Sequence, residues 1–174
     1  MDAGDLSEAQ LTSHLDEFLG QLKLNIIARQ VSIGKFRLDA LACDANGSIV
    51  IVELKVVTTK DTLGQLLIYP HVLEKLLAQG GASGTKVRSV LITTNLDINV
   101  VEIAERLGPL ADISLKVCIG SLETGLKLVD PHAGGNHVWD QSKEGNRHDI
   151  RVVDGKLVVR GSIAARDQLR EVID

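Results

Sequence analysis

Two extended segments joined by a short turn constrain the fold of this chain more than any other feature. Residues 36–43 carry Asp39, and residues 48–57 carry Glu53 within a run that is dense in β-branched side chains. Such a run is typical of a strand that is covered on both faces. The intervening residues 44–47 end in Asn-Gly, a pair that favours a tight turn. The sequence therefore predicts a β-hairpin with one carboxylate on each strand.

Whether the two carboxylates of this hairpin meet depends on the register of its strands. Side chains alternate along a strand, so Glu53 and Lys55 share a face, and residues directly opposite each other on antiparallel strands also share a face. If Asp39 pairs with Glu53, the two carboxylates meet with about 5 Å between their Cβ atoms. A slip by one residue pairs Asp39 with Val52 and places the acids on opposite faces. We predict the first register.

The charged residues interrupt an otherwise apolar run from Ile49 to Val57. Burying these charged side chains costs on the order of several kcal/mol in lost hydration, unless an oppositely charged partner or a metal ion compensates. Two carboxylates and an amine are the minimum set of groups that binds Mg²⁺ beside a phosphodiester and hydrolyses it. An internal ion pair and a solvated hairpin are the alternative interpretations.

An amphipathic segment near the N-terminus predicts a helix that begins at Glu8, with Ser7 as its N-cap. Its apolar residues recur at helical spacing: Leu11, Leu15, Phe18 and Leu22. This spacing places Glu8 beside the apolar stripe, so its side chain is expected to point toward the sheet. The alternative is that Glu8 is a first-turn acid favoured only by the helix dipole.

A second helix is predicted after the hairpin, with Asp61 or Thr62 as its N-cap. Gln65 and Tyr69 lie one turn apart on one face of this helix, where both could point toward the carboxylates. Tyr69 by itself is also compatible with simple packing. Pro70 lacks an N–H group and crowds the preceding turn, so the helix is expected to kink or restart there.

Together these motifs resemble the PD-(D/E)XK nuclease superfamily, in which an Asp, a hairpin, E-x-K and Q-x-x-x-Y follow one another. The similarity is greatest to NucS-type endonucleases and RecB-like domains, and it covers about residues 6–130. Leu38 stands here where the superfamily motif has Pro. The positions that carry the resemblance are Glu8, Asp39, Glu53, Leu54, Lys55, Gln65 and Tyr69.

The resemblance implies an α/β, restriction-endonuclease-like core with a central mixed β-sheet flanked by helices. It also implies that Mg²⁺ or Mn²⁺ is bound by two carboxylates, one backbone carbonyl and, directly or through water, one helix acid: Asp39, Glu53, Leu54 and Glu8. Lys55 would hold the attacking water and offset charge on the phosphate. Gln65 and Tyr69 would position water or the nucleic-acid backbone.

The remainder of residues 1–130 fits such a core. Residues 87–94 and 113–119 are predicted strands, Asp97 is expected to cap a helix that ends at Leu107, and residues 126–129 are expected to close the sheet.

Residues 131–174 are predicted to form a separate appendage. A polar linker leads to a β-hairpin, in which Asp154-Gly155 is a strong turn signal between two strands, and a helix is expected over residues 162–173. This segment is short for an independent domain, so it is expected to pack on the core or to contact another protein.

Composition limits the function in three ways. Aromatic residues make up 2% of the chain, which argues against binding by base stacking. A net charge of −4 does not favour strong nonspecific binding to nucleic acid. The two cysteines, the N-terminal sequence and the absence of a long apolar run predict a soluble protein of the reducing cytoplasm, with no membrane contact.

Two functions follow from these observations. The first is a metal-dependent nuclease that hydrolyses DNA in repair, restriction or defence. The second is a catalytically inactive nuclease-fold module that serves nucleic-acid binding or protein assembly. A homodimer and a partner protein bound through residues 131–174 are both compatible with the sequence.

Overall fold

In the computed structural model, the hairpin is part of a mixed β-sheet with helices on both faces. The structure describes residues 1–108 and 110–132, apart from the side chain of Lys60, and the backbone of four further short strands between residues 138 and 171. The chain divides into two compact units, residues 1–139 and residues 140–174.

The first unit contains four α-helices and seven strands among its described residues. A short 3-10 helix, Ala3–Asp5, precedes the helices α1 (Glu8–Ser13), α2 (Leu15–Gln21), α3 (Lys60–Gln79) and α4 (Ile98–Leu107). The strands are β1 (Asn25–Ile33), β2 (Phe36–Cys43), β3 (Ile49–Val57), β4 (Val87–Asp97), β5 (Ile113–Ser121), β6 (Gly125–Val129) and β7 (Val138–Trp139).

The strands lie in the order β1-β2-β3-β4-β5-β6, and β7 pairs with the end of β4. The β3–β4 and β4–β5 pairs are parallel, whereas β1–β2, β2–β3 and β5–β6 are antiparallel. Parallel neighbours require a crossover, and α3 and α4 supply the two crossovers. The predicted central mixed sheet flanked by helices is therefore confirmed.

Each face of the sheet is covered by a different pair of helices. The helices α1 and α2 pack on one face through a cluster that includes Leu11, Phe18, Val52, Leu54 and Ile92. The helices α3 and α4 cover the other face through two clusters, whose members include Leu66, Leu91, Val101, Ile51, Tyr69 and Leu73. Alternation along β3 thus sends successive side chains to opposite cores, as the sequence predicts.

Most of the predicted elements are present with the expected bounds. The strand β2 covers the predicted residues, β3 begins one residue later than predicted, and β4, β5 and β6 contain the predicted strands. The side chain of Asp97 caps α4 by accepting a hydrogen bond of 2.9 Å from the backbone N–H of Asn99. Within the described residues, no helix is long and apolar enough to cross a membrane.

The N-terminal helical segment is divided into two short helices at His14. Ser7 caps α1 as predicted, and it forms a reciprocal capping box with Gln10. The Thr12 and Ser13 hydroxyls donate hydrogen bonds to the backbone carbonyls of Glu8 and Gln10. Such bonds from hydroxyl to carbonyl compete with the helical ladder and bend helices, which accounts for the break.

The start of α3 differs from its prediction. Thr59 is the N-cap, two residues before Asp61 and three before Thr62, and the Thr62 hydroxyl instead accepts a hydrogen bond from the Thr59 backbone N–H. The Thr62 N–H donates to the Thr59 carbonyl, so both N–H groups have partners at the start of α3.

Of the predicted kink or restart at Pro70, the restart is wrong, because α3 runs through this residue, and the kink stays a prediction. A proline leaves the carbonyl four residues earlier without its helical donor, and here that carbonyl belongs to Leu66. The buried Ser89 hydroxyl on β4 donates a 3.0 Å hydrogen bond to this carbonyl. The sheet thus replaces the bond that the proline removes.

In the second unit, β8 (Asp149–Val153) and β9 (Lys156–Arg160) form the predicted antiparallel hairpin. The predicted helix over residues 162–173 is wrong for its later part, since Leu169–Glu171 forms a strand, β10, that pairs with β9. Backbone hydrogen bonds to the open edge of β9 override the helical pattern of the side chains. The other residues of the predicted helix lie outside the described part of the chain.

Candidate active site

The turn between β2 and β3 is closed by the side chain of Asp44. Its Oδ1 atom accepts hydrogen bonds from the backbone N–H groups of Asn46 (2.9 Å) and Ser48 (3.0 Å). Gly47 takes a φ of +77°, which a residue with a Cβ rarely adopts. Arg88 of β4 also contacts the Asp44 carboxylate, with 3.4 Å between Nε and Oδ2. These contacts fix the turn and hence the register of the hairpin.

The register is the one predicted from the sequence. Ala40, the last residue of β2 that pairs with β3, lies opposite Val52, and this register brings Asp39 next to Glu53. The two carboxyl groups are close enough for Asp39 to raise the pKa of Glu53.

Two donors orient the Asp39 carboxylate. The backbone N–H of Leu54 donates a 2.9 Å hydrogen bond to Oδ2, and the side-chain amide of Gln30 lies 3.5 Å from Oδ1. Gln30 belongs to β1, which the sequence pattern does not predict, so the motif alone does not reveal its place in the site. The resemblance implies a role only for the carbonyl of Leu54, whereas its N–H group donates to Asp39.

Glu53 is the most unusual group of the site, because it is a carboxylate that is only 2% exposed. Its Oε1 atom is buried and has no hydrogen-bond partner. Burial and the neighbouring Asp39 carboxylate raise the pKa of Glu53 to about 8, although the ammonium group of Lys55 acts in the opposite direction. A buried acceptor without a partner destabilises the fold, so it points to a ligand that the residues alone do not provide.

Lys55 lies two positions farther along β3 and contacts the N-terminal helix. Its Nζ atom is 3.3 Å from Oε1 of Glu8. Burial lowers the pKa of Lys55, but the carboxylates of Glu8 and Asp39 outweigh this effect and raise it. Lys55 is therefore a cation at neutral pH, and Glu8 reaches the site through it. The Glu8 side chain is exposed and reaches the sheet only through this ion pair, and its role as a metal ligand stays a prediction.

Gln65 and Tyr69 extend the site along α3. Burial and the charge of Glu53 raise the pKa of Tyr69, and the neighbouring Gln65 side chain lowers it to a smaller extent. The Tyr69 ring packs against Phe36 of β2, with 5.3 Å between the ring centroids. Tyr69 thus has a packing role through its ring and faces the carboxylates through its hydroxyl.

The donor set suits a hard divalent cation. No group of three or more His, Cys, Asp or Glu side chains within the described residues could enclose a metal ion by itself. Mg²⁺ does not require one, since it usually keeps several waters and takes one or two protein carboxylates. Two facing carboxylates, one with an orphaned buried oxygen, meet this requirement, because a cation between them removes their mutual repulsion.

Comparisons with known proteins agree with this fold. No protein-family model matches the chain, and no curated protein matches its sequence. Among solved structures, a repair endonuclease from Pyrococcus abyssi is similar, with a TM-score of 0.52 and 22% identity over 65% of this chain and 47% of that chain. This similarity confirms the restriction-endonuclease-like fold that the motifs predict.

Two structures of EndoMS are also similar. One, a complex with double-stranded DNA, has a TM-score of 0.46 and 22% identity over 59% of this chain and 43% of that chain. The other, without DNA, has a TM-score of 0.45 and 25% identity over 60% of this chain and 44% of that chain. This chain matches less than half the length of each of these three structures.

Proposed function

We propose that this protein is a metal-dependent nuclease that hydrolyses phosphodiester bonds in DNA. The observation that carries the proposal is the pair of facing carboxylates, Asp39 and Glu53, of which Glu53 is buried with an unpartnered oxygen. Burial and the neighbouring Asp39 disfavour the ionised form of Glu53, so the pair lowers the stability of the fold when no cation is bound. A bound divalent cation would offset this loss of stability by attracting both carboxylates.

Asp39, Glu53 and the Leu54 carbonyl would hold Mg²⁺ or Mn²⁺. Such a cation supplies Lewis acidity, which stabilises negative charge on a phosphoryl group. The Leu54 N–H group keeps the Asp39 carboxylate in a fixed direction, so the site is preorganised. Leu54 therefore contributes to the geometry through both of its backbone polar groups.

Lys55 would orient the attacking water and offset charge that develops on the phosphate. Its ammonium group is held by Glu8 and lies on the same face of β3 as Glu53. A fixed cation placed where charge develops lowers the barrier without reorganisation during the reaction. Gln65 and the Tyr69 hydroxyl would then orient water or a backbone phosphate along α3.

DNA as the substrate rests on the resemblance of the motif to PD-(D/E)XK nucleases and on the fold shared with a repair endonuclease. A fold by itself does not determine an activity, so the site carries the chemical argument and the fold supports only the substrate class. Whether the protein acts in repair, restriction or defence does not follow from the site. A net charge of −4 predicts weak binding at physiological salt without further contacts.

One observation favours the second candidate, an inactive module that keeps the nuclease fold. Glu8 already pairs with Lys55, so the amine has a partner without substrate. The Glu8 side chain is 55% exposed, however, and an exposed pair of this kind exchanges readily with solvent. The ion pair therefore does not block the reaction in the proposed enzyme.

The test is cleavage of labelled single-stranded, double-stranded and branched DNA in Mg²⁺, Mn²⁺ or EDTA. We expect metal-dependent cleavage by the wild type and a loss of at least about a hundredfold in Glu53→Gln and Lys55→Ala. Glu102→Gln and Lys75→Ala change exposed helix residues of the same types outside the site, so they should cleave like the wild type.

Cleavage that is equal in Glu53→Gln and the wild type would overturn the proposal. Absence of cleavage by the folded wild type on all three substrates would favour the inactive module.

A further inference from the structure

Gln30 has a backbone conformation that is unexpected in the middle of a strand. Its φ is +49°, and Lys23 is the other non-glycine residue with a positive φ within the described part of the chain. Lys23 follows the C-terminal end of α2, a position where the left-handed conformation is common. Gln30 instead interrupts β1, where the left-handed region is sterically unfavourable for any residue with a Cβ.

The pairing of β1 with β2 places this residue across from Asp39. Arg29 pairs with Ala40 and Val31 pairs with Leu38, so the position between them faces Asp39. The Gln30 amide lies 3.5 Å from Oδ1 of Asp39, and the Leu54 N–H group binds the other oxygen at 2.9 Å. One carboxylate thus has a separate donor at each oxygen.

We infer that Gln30 is a positioning residue that holds the Asp39 carboxylate in the direction needed to bind the cation. This inference rests on the proposed function, because it assigns Asp39 to the metal. Strained residues persist where the surrounding structure requires them, and they concentrate at functional sites. Donors that orient metal-binding carboxylates have a large effect on metal affinity, although they do not touch the metal.

The strain supplies a test that separates positioning from folding. Gln30→Gly removes the amide and also removes the steric cost of the left-handed backbone. If the main role of Gln30 is to stabilise the folded chain, this variant loses stability. If its main role is to orient the Asp39 carboxylate, the variant gains stability and loses metal affinity, so the two properties change in opposite directions.

The full chain is first unfolded by heat in EDTA. We expect Lys23→Gly, the matched control for relief of a positive φ, to raise the unfolding midpoint by about 2–4 °C. Gln30→Gly should raise it by a smaller amount, since it also loses the contact with Asp39. A lower midpoint for Gln30→Gly than for the wild type would overturn the inference.

Metal affinity is then measured by titrating Mn²⁺ into each protein and recording the heat of binding. We expect Gln30→Gly to bind about tenfold more weakly than the wild type, whereas Lys23→Gly binds equally well. Equal affinity in Gln30→Gly and the wild type would also overturn the inference.

A double-mutant cycle in EDTA separates a failure of this inference from a failure of the proposed function. In an Asp39→Ala background the amide has no partner to lose, so Gln30→Gly should raise the midpoint by more than it does in the wild type. An equal rise in both backgrounds would show that the two side chains do not interact, and the inference would fail. A larger rise without any Mn²⁺ binding by the wild type would support the contact while refuting the metal site.

Discussion

Ile51 and Glu53 lie two positions apart on the same face of β3, and both are almost completely buried, yet their surroundings differ in kind. Ile51 packs in an apolar cluster with Leu38, Tyr69 and Leu73. Glu53 faces another carboxylate and has an oxygen without a partner. Ile51 thus stabilises the fold through apolar contacts, whereas Glu53 on the same strand lowers its stability and belongs to the candidate site. Burial alone therefore does not reveal what a residue does, whereas the partners of its polar atoms do.

The largest expected effect on the free energy of unfolding comes from Ile51, the residue with apolar neighbours. Ile51→Ala leaves a cavity between β3 and α3, so we expect it to lower the free energy of unfolding by about 2–5 kcal/mol. Urea denaturation measures this loss. Ile51→Val, which removes one methylene, is the matched control and should cost about 0.5–1.5 kcal/mol. A loss below that of the control would show that this part of the core is not tightly packed.

Ser89 is a buried polar residue with a partner, and it sharpens the contrast with Glu53. Ser89→Ala removes the donor to the Leu66 carbonyl, so we expect a loss of about 1–3 kcal/mol in the free energy of unfolding. In a Pro70→Ala background, the restored N–H group can bond that carbonyl, and Ser89→Ala should cost less. An equal cost in both backgrounds would contradict this explanation of the unbroken helix.

Substitution of Glu53 is expected to raise the free energy of unfolding, whereas substitution of Ile51 or Ser89 lowers it. Glu53→Gln should raise the free energy of unfolding in EDTA by about 1–2 kcal/mol, because it removes a buried carboxyl group whose ionisation burial and Asp39 both disfavour, and it should also abolish cleavage. The pKa of Glu53 is raised from 4.5 to about 8, so folding disfavours its ionised form. The metal-free wild type should therefore lose stability, relative to Glu53→Gln, as the pH rises from 4.5 to 8. Identical pH dependence of the two proteins would contradict this assignment.

The smallest expected effect concerns the partly exposed pair of Glu8 and Lys55. Glu8→Gln should change the free energy of unfolding by less than about 1 kcal/mol, since solvent screens the pair. It should lower the rate of cleavage through a less well-oriented Lys55, by a smaller factor than Lys55→Ala does. Urea denaturation and a cleavage assay measure the two effects. A loss of activity as large as that of Lys55→Ala would instead assign Glu8 to the metal.

The hairpin of the site could be predicted from the sequence because its signals are local. The turn residues, the β-branched run and the period of two together specify both strands and the register that brings Asp39 to Glu53. The helix with Gln65 and Tyr69 also follows from local periodicity. The motif thus places the main candidate residues on the correct elements.

The strand β1 could not be predicted, because its pattern of side chains is not that of a half-buried strand. It lies at the edge of the sheet, its first three residues are exposed, and a bulge shifts the register between Ile26 and Ala28. The left-handed residue Gln30 interrupts the alternation again. The donor to Asp39 was missed for this reason.

Long-range contacts explain the other differences. The hydroxyl that keeps α3 unbroken at Pro70 comes from Ser89 on β4, and no local signal connects the two. In the second unit, pairing with β9 determines that Leu169–Glu171 is a strand. Local propensity is a weak prior wherever tertiary hydrogen bonds compete with it.

Calorimetric titration of Mn²⁺ into the metal-free protein tests most directly whether Asp39 and Glu53 form a metal site. We expect binding by the wild type and by Glu102→Gln, and at least a hundredfold weaker binding, by about 3 kcal/mol, in Asp39→Asn and Glu53→Gln. Unchanged binding in these two variants, or no binding by the wild type, would show that Asp39 and Glu53 do not form a metal site.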